Sequence, residues 1–242
     1  MHKTRPQAES YGQAIGILLL DASAPFVPGD VGNASTYNYP VIYRTVPGLT
    51  TEACLSGAPG FAPKVIEAAR WLESQGVRAI SSDCGFMLQY QEAVRAAVRV
   101  PVCLSSLLQL PLIARTLDRS RPIAVVTADS TKLTPDFLTR AGIFVGNQLV
   151  IRGMQDQPEF RSAVLEEKGT LDSDLVAGET VAVCRQALAE FPNLGAVLLE
   201  CSMLPPYAKA VQDAVGVPVY DFISMIDFAR VATHRTRYSG FY

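Results

Sequence analysis

Ala93-Val94-Arg95-Ala96-Ala97-Val98-Arg99-Val100-Pro101-Val102 and Ala210-Val211-Gln212-Asp213-Ala214-Val215-Gly216-Val217-Pro218-Val219 are two copies of one segment, 117 residues apart and identical at seven of ten positions. The same offset lays Tyr90 on Tyr207 and Cys84 on Cys201. A second offset, of 108, lays the apolar run 15–21 on 123–129, each ending in an aspartate, Asp21 and Asp129. Repeats this long exclude a solenoid. They predict an α/β protein of two pseudo-symmetric lobes, 1–120 and 121–242, with the boundary near 120–122. One thiol from each lobe is then expected to face a shared cleft.

Around the repeats, short apolar runs alternate with amphipathic stretches, the pattern of open, mostly parallel sheets flanked by helices. Strands are expected at 14–20, 40–46, 77–82 and 100–104 in the first lobe, and at 123–127, 148–151, 196–200 and 217–221 in the second. Helices are expected over 62–75 (stopped by Gly76), after Cys84, over 106–117, and over 135–141, 174–190, 205–215 and 222–236. The stretch 22–62, rich in Pro and Gly, reads mostly as a long connection.

In such sheets ligands bind beyond the carboxyl ends of the strands. Topology alone therefore gathers Asp21, Asp129, Cys84 and Cys201 at one edge. Each cysteine sits at a strand-to-helix junction, where unpaired N–H groups and the helix dipole are expected to favour a thiolate. A thiolate on one face of a substrate carbon and a thiol on the other can invert a stereocentre without a cofactor. Backbone donors at Gly85 and Ser202 would hold the enediolate charge.

Composition narrows the partners. A formal net charge of −2 with 18% charged residues argues against nucleic acid and against an anionic membrane surface. The apolar run at 14–20 is too short to span a bilayer or to form a signal-peptide core, so a cytoplasmic protein is expected. Five cysteines without a CxxC pair give no disulfide framework and no zinc pattern. No Gly-rich dinucleotide fingerprint follows the first strand, so no metal, nicotinamide or pyridoxal phosphate is expected. A small-molecule cleft fits better. His2 and His234 are isolated, and the aromatic tail 238–242 is read as covering the lobe junction, meeting a neighbouring subunit in a homo-oligomer, or fraying.

Ser82-Asp83-Cys84-Gly85-Phe86, Glu200-Cys201-Ser202-Met203-Leu204-Pro205-Pro206-Tyr207-Ala208 and Gly29-Asp30-Val31-Gly32-Asn33 together resemble the aspartate/glutamate racemase superfamily, which includes hydantoin racemases, maleate isomerases and arylmalonate decarboxylases. The resemblance spans nearly the whole chain. It implies a cofactor-independent racemase or epimerase of a small carboxylate, an amino acid or a hydantoin, with Cys84 and Cys201 as the two bases. It also leaves open a maleate-isomerase-like reaction with a cysteine nucleophile, and a non-catalytic carboxylate-binding protein. Gly85-Phe86 replaces the Asn-Thr or Thr-Ser that often follows the first cysteine of the amino-acid racemases, and Asp21-Ala22-Ser23 replaces Asp-Ser-Gly. Both changes argue against glutamate, and extend the question to any amino acid as substrate.

Candidate substrate-binding residues are Asp21, Asn33, Gly85, Phe86, Thr127, Ser130, Thr131 and Ser202. Asp21 and Asp129 read equally as turn residues or caps, and Thr127, Ser130 and Thr131 equally as a solvated turn. Asp83 and Glu200, one residue before each cysteine, are expected to point to the opposite face of their strands. Tyr90 and Tyr207 read as core, and Cys54, Cys103 and Cys184 as inert buried thiols.

Overall fold

The computed structural model describes residues 4–241; Met1, His2, Lys3 and Tyr242 lie outside the described residues. Two four-stranded parallel sheets form the molecule. The first, in the order β2-β1-β3-β4, is built from β1 (Ile15–Leu19), β2 (Val41–Thr45), β3 (Ala79–Ser82) and β4 (Val102–Cys103). The second repeats that order as β6-β5-β7-β8, from β5 (Ile123–Thr127), β6 (Leu149–Gly153), β7 (Ala196–Leu199) and β8 (Val219–Tyr220). Register repeats as well: Ile15 lies opposite Val41 and Ala79, and Ile123 opposite Leu149 and Ala196. The duplication read from the sequence is thus a duplication of topology. In both sheets the strand order reverses beside the first strand, where parallel sheets open a crevice at their carboxyl edge. Cys84 and Cys201 come directly after the two strands that border it.

Two helices precede β3. Helix α1 (Thr51–Leu55) starts at Thr50, whose side chain accepts from the Ala53 N–H, and α2 (Ala62–Gln75) stops at Gly76, held in the left-handed region at φ 88. Only glycine takes that conformation without strain, which is why the predicted and observed ends of α2 agree. The first lobe continues with a 3-10 segment (Gly85–Tyr90), α3 (Gln91–Ala97) and α4 (Leu110–Thr116). The second lobe adds α5 (Pro135–Arg140), α6 (Pro158–Phe160) running into a π turn (Arg161–Leu165), α7 (Ser173–Glu190) and α8 (Ala208–Val215). The last helix, α9 (Phe222–Thr233), opens with a capping box between Asp221 and Ser224.

Helix α9 does not stay with its own lobe. Phe222, Met225, Ile226 and Ala229 pack on Ile15, Ile17 and Ala79 of the first sheet. A second cluster runs from Leu18, Ile80 and Leu104 through Phe86 to Ile123, Val125 and Leu198 of the other lobe. The lobes therefore share apolar core rather than meeting at a polar hinge, and burial of that surface at roughly 25 cal/mol per Å² holds the cleft in place. In the described part of the tail beyond α9, Tyr238 and Phe241 are exposed. No helix among the described residues is long and apolar enough to cross a membrane.

Candidate active site

Where the two sheets face each other the structure closes a small cavity of about 40 Å³, lined by Leu20, Ala22, Phe26, Thr51, Leu55 and Met203 around a reactive centre of Asp83, Cys84, Glu200 and Cys201. Gly85, Phe86 and Ser202 complete that centre. Both thiols are buried, each 8% exposed. Pseudo-symmetry thus delivers an Asp-Cys pair from one lobe and a Glu-Cys pair from the other into one space.

The two acids correct the sequence reading. Asp83 and Glu200 were expected on the far faces of their strands, but β3 ends at Ser82 and β7 at Leu199, so the alternation of strand side chains has already lapsed. Asp83 accepts from the Leu20 N–H with both oxygens, at 3.0 and 3.2 Å. Glu200 accepts from the Thr127 hydroxyl at 2.7 Å, while its other oxygen, Oε1, is buried without a hydrogen-bond partner. That orphan oxygen needs Gly85: a Cβ there would fall 1.7 Å from Glu200 Oε1 and 2.9 Å from the Glu200 carbonyl. Burial raises both carboxyls to about 7, against the opposing hydrogen bonds from Leu20 N–H and the Thr127 hydroxyl.

The thiols are not poised as thiolates, contrary to expectation. Cys84 is pushed well up by its contact with Cys54, whose Sγ lies 3.8 Å away, then by burial and by the charges of Glu200 and Asp83. Cys201 is also pushed up, by burial first and by Glu200, Asp30 and Asp83, with the Met203 N–H pulling the other way. The short 3-10 segment after Cys84 carries too small a dipole to overcome desolvation beside two acids. Cys54, read from the sequence as an inert thiol, stands on α1 in direct contact with Cys84. A five-residue helix leaves no periodicity to read, so nothing in the sequence placed it there.

The remaining sequence candidates divide sharply. Gly85, Phe86 and Ser202 line the cavity, and the Ser202 hydroxyl ties the lobes by donating to the Asp83 carbonyl. Thr127 lies beneath it as the partner of Glu200. Asp21, Asn33, Ser130 and Thr131 do not line it. Asp21 accepts from the Gly48 N–H, Asn33 caps a 3-10 turn by accepting from the Ser35 N–H, Ser130 bonds Gln155, and Thr131 bonds Asp129. Each satisfies a nearby polar group, as short polar side chains in loops commonly do. Tyr90 and Tyr207 are buried.

Over the cavity, the Glu167 carboxylate accepts from the Ser23 N–H at 2.9 Å and from the Thr51 hydroxyl at 2.8 Å, pinning one first-lobe loop and the start of α1 from the second lobe. Glu167 itself sits at φ 48, in the strained left-handed region. Among the described residues no Lys, Arg or His lines the cavity, and no group of three or more His, Cys, Asp or Glu stands where it could hold a metal ion.

A dimethylsulfoniopropionate lyase of Durusdinium sp. clade D is 37% identical to the chain over 222 residues, covering 89% of the chain and 73% of that protein. The chain belongs to the dimethylsulfoniopropionate lyase family. Dimethylsulfoniopropionate lyase 7 of Emiliania huxleyi (strain CCMP1516) is 34% identical, covering 87% of the chain and 64% of that longer protein. No family model matches the chain. Solved structures share the fold at lower identity. An allantoin racemase from Pseudomonas fluorescens aligns with TM-score 0.61 at 16% identity over 93% of the chain and 99% of its own. Unliganded arylmalonate decarboxylase aligns at 0.58 and 20% identity over 91% and 92% of the two chains, and Picrophilus torridus aspartate racemase at 0.55 and 15% over 91% and 94%. The chain thus has the fold of the aspartate/glutamate racemase superfamily, and the relatives it matches are named as lyases rather than isomerases.

Proposed function

We propose that the protein is a dimethylsulfoniopropionate lyase in which a cysteine removes a proton from the carbon next to the carboxylate. The electron pair left on that carbon forms the new double bond and expels the sulfonium group from the neighbouring carbon. Dimethyl sulfide leaves as a neutral molecule, acrylate remains, and one proton stays on the thiol. The observation that carries the reading is the pair Cys84 and Cys201 in one cavity of a chain 37% identical to a protein of that name.

Racemisation, the expectation from sequence, begins with the same proton abstraction. It differs in needing a second acid on the opposite face, whereas a neutral sulfide departs without one. A site without a basic side chain is also a poor host for a second carboxylate, which disfavours aspartate, glutamate and maleate. Cys201 is assigned as the base, because the Met203 N–H pulls its thiol down whereas the contact with Cys54, 3.8 Å away, raises Cys84 further. The backbone N–H groups of Gly85 and Ser202 are the donors for charge building on the substrate carboxylate.

Release of dimethyl sulfide from dimethylsulfoniopropionate, followed in the headspace, tests the reading. Cys201→Ala should lower turnover by about 10²- to 10⁴-fold, the scale of a lost general base, and Cys84→Ala by clearly less. Absence of release by the wild type, or equal turnover by Cys201→Ala and wild type, overturns it. Inversion of an amino acid or hydantoin that needs both cysteines equally would instead establish the racemase.

A further inference from the structure

Resting on the lyase reading, we propose that Glu200, supported by Asp83, forms a subsite for an onium group, so that the site selects carboxylates bearing a positive charge two carbons away. The first observation is the orphan oxygen. Glu200 is 1% exposed, lines the cavity beside both thiols, and carries in Oε1 a buried acceptor with no donor in the protein. Unpaired buried acceptors are costly and rare, and at a reactive centre one marks the place of a missing partner. Gly85 is the cradle that keeps this oxygen where it is, since any side chain there would collide with it.

Charge supplies a second, independent observation. Asp83 and Glu200 line the cavity, Asp30 is buried nearby and acts electrostatically on Cys201 and Asp83, and no basic side chain lines the space among the described residues. A site that buries acids without a cation of its own is completed by a ligand that brings one. The rest of the wall suits the methyl groups of an onium ion: Phe26, Phe86, Leu20 and Met203 are apolar, and two of them present aromatic rings. The same charge assists the reaction, because a cation held beside the thiols favours the thiolate that burial and the neighbouring acids oppose.

A protonated Glu200 could instead donate to the substrate carboxylate, and glutamine separates the two roles. An amide can still donate to a carboxylate, but it offers no charge to a cation. The probes are 3-(trimethylammonio)propanoate and 4,4-dimethylpentanoate, which share one skeleton and differ in the central nitrogen or carbon and therefore in charge. Their dissociation constants are measured by calorimetry on wild type, Glu200→Gln and Asp83→Asn, each checked for folding by circular dichroism.

Wild type should bind the cationic probe at least about tenfold more tightly, the scale of one desolvated charge contact. In Glu200→Gln that ratio should fall to within about threefold, chiefly through weaker binding of the cation. A wild-type ratio near one overturns the proposal without recourse to any variant, and so does a ratio that survives in Glu200→Gln. If Glu200→Gln does not fold, Asp83→Asn is judged by the same ratio. Dimethyl sulfide release on the same wild-type sample keeps the questions apart: a cation preference without release refutes the lyase and leaves the subsite standing, while release without a preference does the reverse.

Discussion

Replacing Glu200 with glutamine should change how the stability of the folded protein depends on pH, by an amount the burial of its carboxyl sets. The group moves from an ordinary 4.5 to about 7 on folding, with desolvation as the leading cause. Between these values the folded protein keeps a proton that the unfolded chain has released. The folded state binds more protons there, so stability falls as pH rises through that window, and the loss is complete above about 7. At about 1.4 kcal/mol per pH unit the loss is roughly 3 kcal/mol, or roughly 6–12 °C in Tm for a chain of this size. Glutamine keeps an acceptor for the Thr127 hydroxyl and does not titrate. Urea unfolding followed by the fluorescence of Trp71, the single tryptophan, should therefore show wild type losing about 3 kcal/mol more than Glu200→Gln between pH 4.5 and 7.5. Asp30 and Asp83, also raised by burial, contribute alike to both proteins. Parallel pH profiles would refute the claim that Glu200 is a desolvated carboxyl, and the electrostatic account of the cavity would fall with it.

Two further substitutions probe the cavity wall. Phe86 is 2% exposed and its ring lies 5.3 Å from that of Phe137 on α5 in the other lobe, so Phe86→Ala should cost about 3–5 kcal/mol in urea unfolding; a loss below about 1 kcal/mol would show that the lobes do not depend on this contact. Gly85→Ala cannot keep both its Cβ and the position of Glu200, so turnover of dimethylsulfoniopropionate should drop about 100-fold with the circular dichroism spectrum retained, and unchanged turnover would show that the close approach has no catalytic consequence.

The fold was legible because repetition and periodicity act over long stretches. The strand pattern, the end of α2 at Gly76 and the placement of both cysteines after bordering strands all rest on signals that many residues share. The cavity wall was legible only where it continues those signals, as at Gly85, Phe86 and Ser202. Asp21, Asn33 and Thr131 have the right residue types and lie after strand ends, but loops let a short polar side chain turn back onto a nearby N–H or hydroxyl, and here each makes such a local bond and does not line the cavity. Asp83 and Glu200 failed in the opposite sense. Strand alternation was extended one residue past the last residue of each strand, and that single step decided whether two acids faced the cavity or the core. Cys54 lay in a helix of five residues inside a long connection, where no period exists to be read.

A pair of opposed thiols on this scaffold does not by itself specify a reaction, since fold and function are separable. On the proposed reading the pair provides abstraction of a proton beside a carboxylate, and its surroundings decide the fate of the resulting carbanion. In this chain Cys84 is in contact with a third thiol, while the Met203 N–H opposes the rise of the Cys201 thiol. The symmetry that duplication imposed on the backbone is therefore broken at the level of the side chains. A racemase needs two bases of matched ability, because each must serve as the acid when the other is the base. An elimination needs one base and a leaving group that departs unaided, and it tolerates a second thiol that never ionises. The acids push the proposed choice in the same direction: they raise the barrier to forming any thiolate, and a substrate that carries its own positive charge is the one that lowers it. In the proposed lyase, selectivity and activation then arise from a single interaction, the charge of the substrate against the two buried carboxyls.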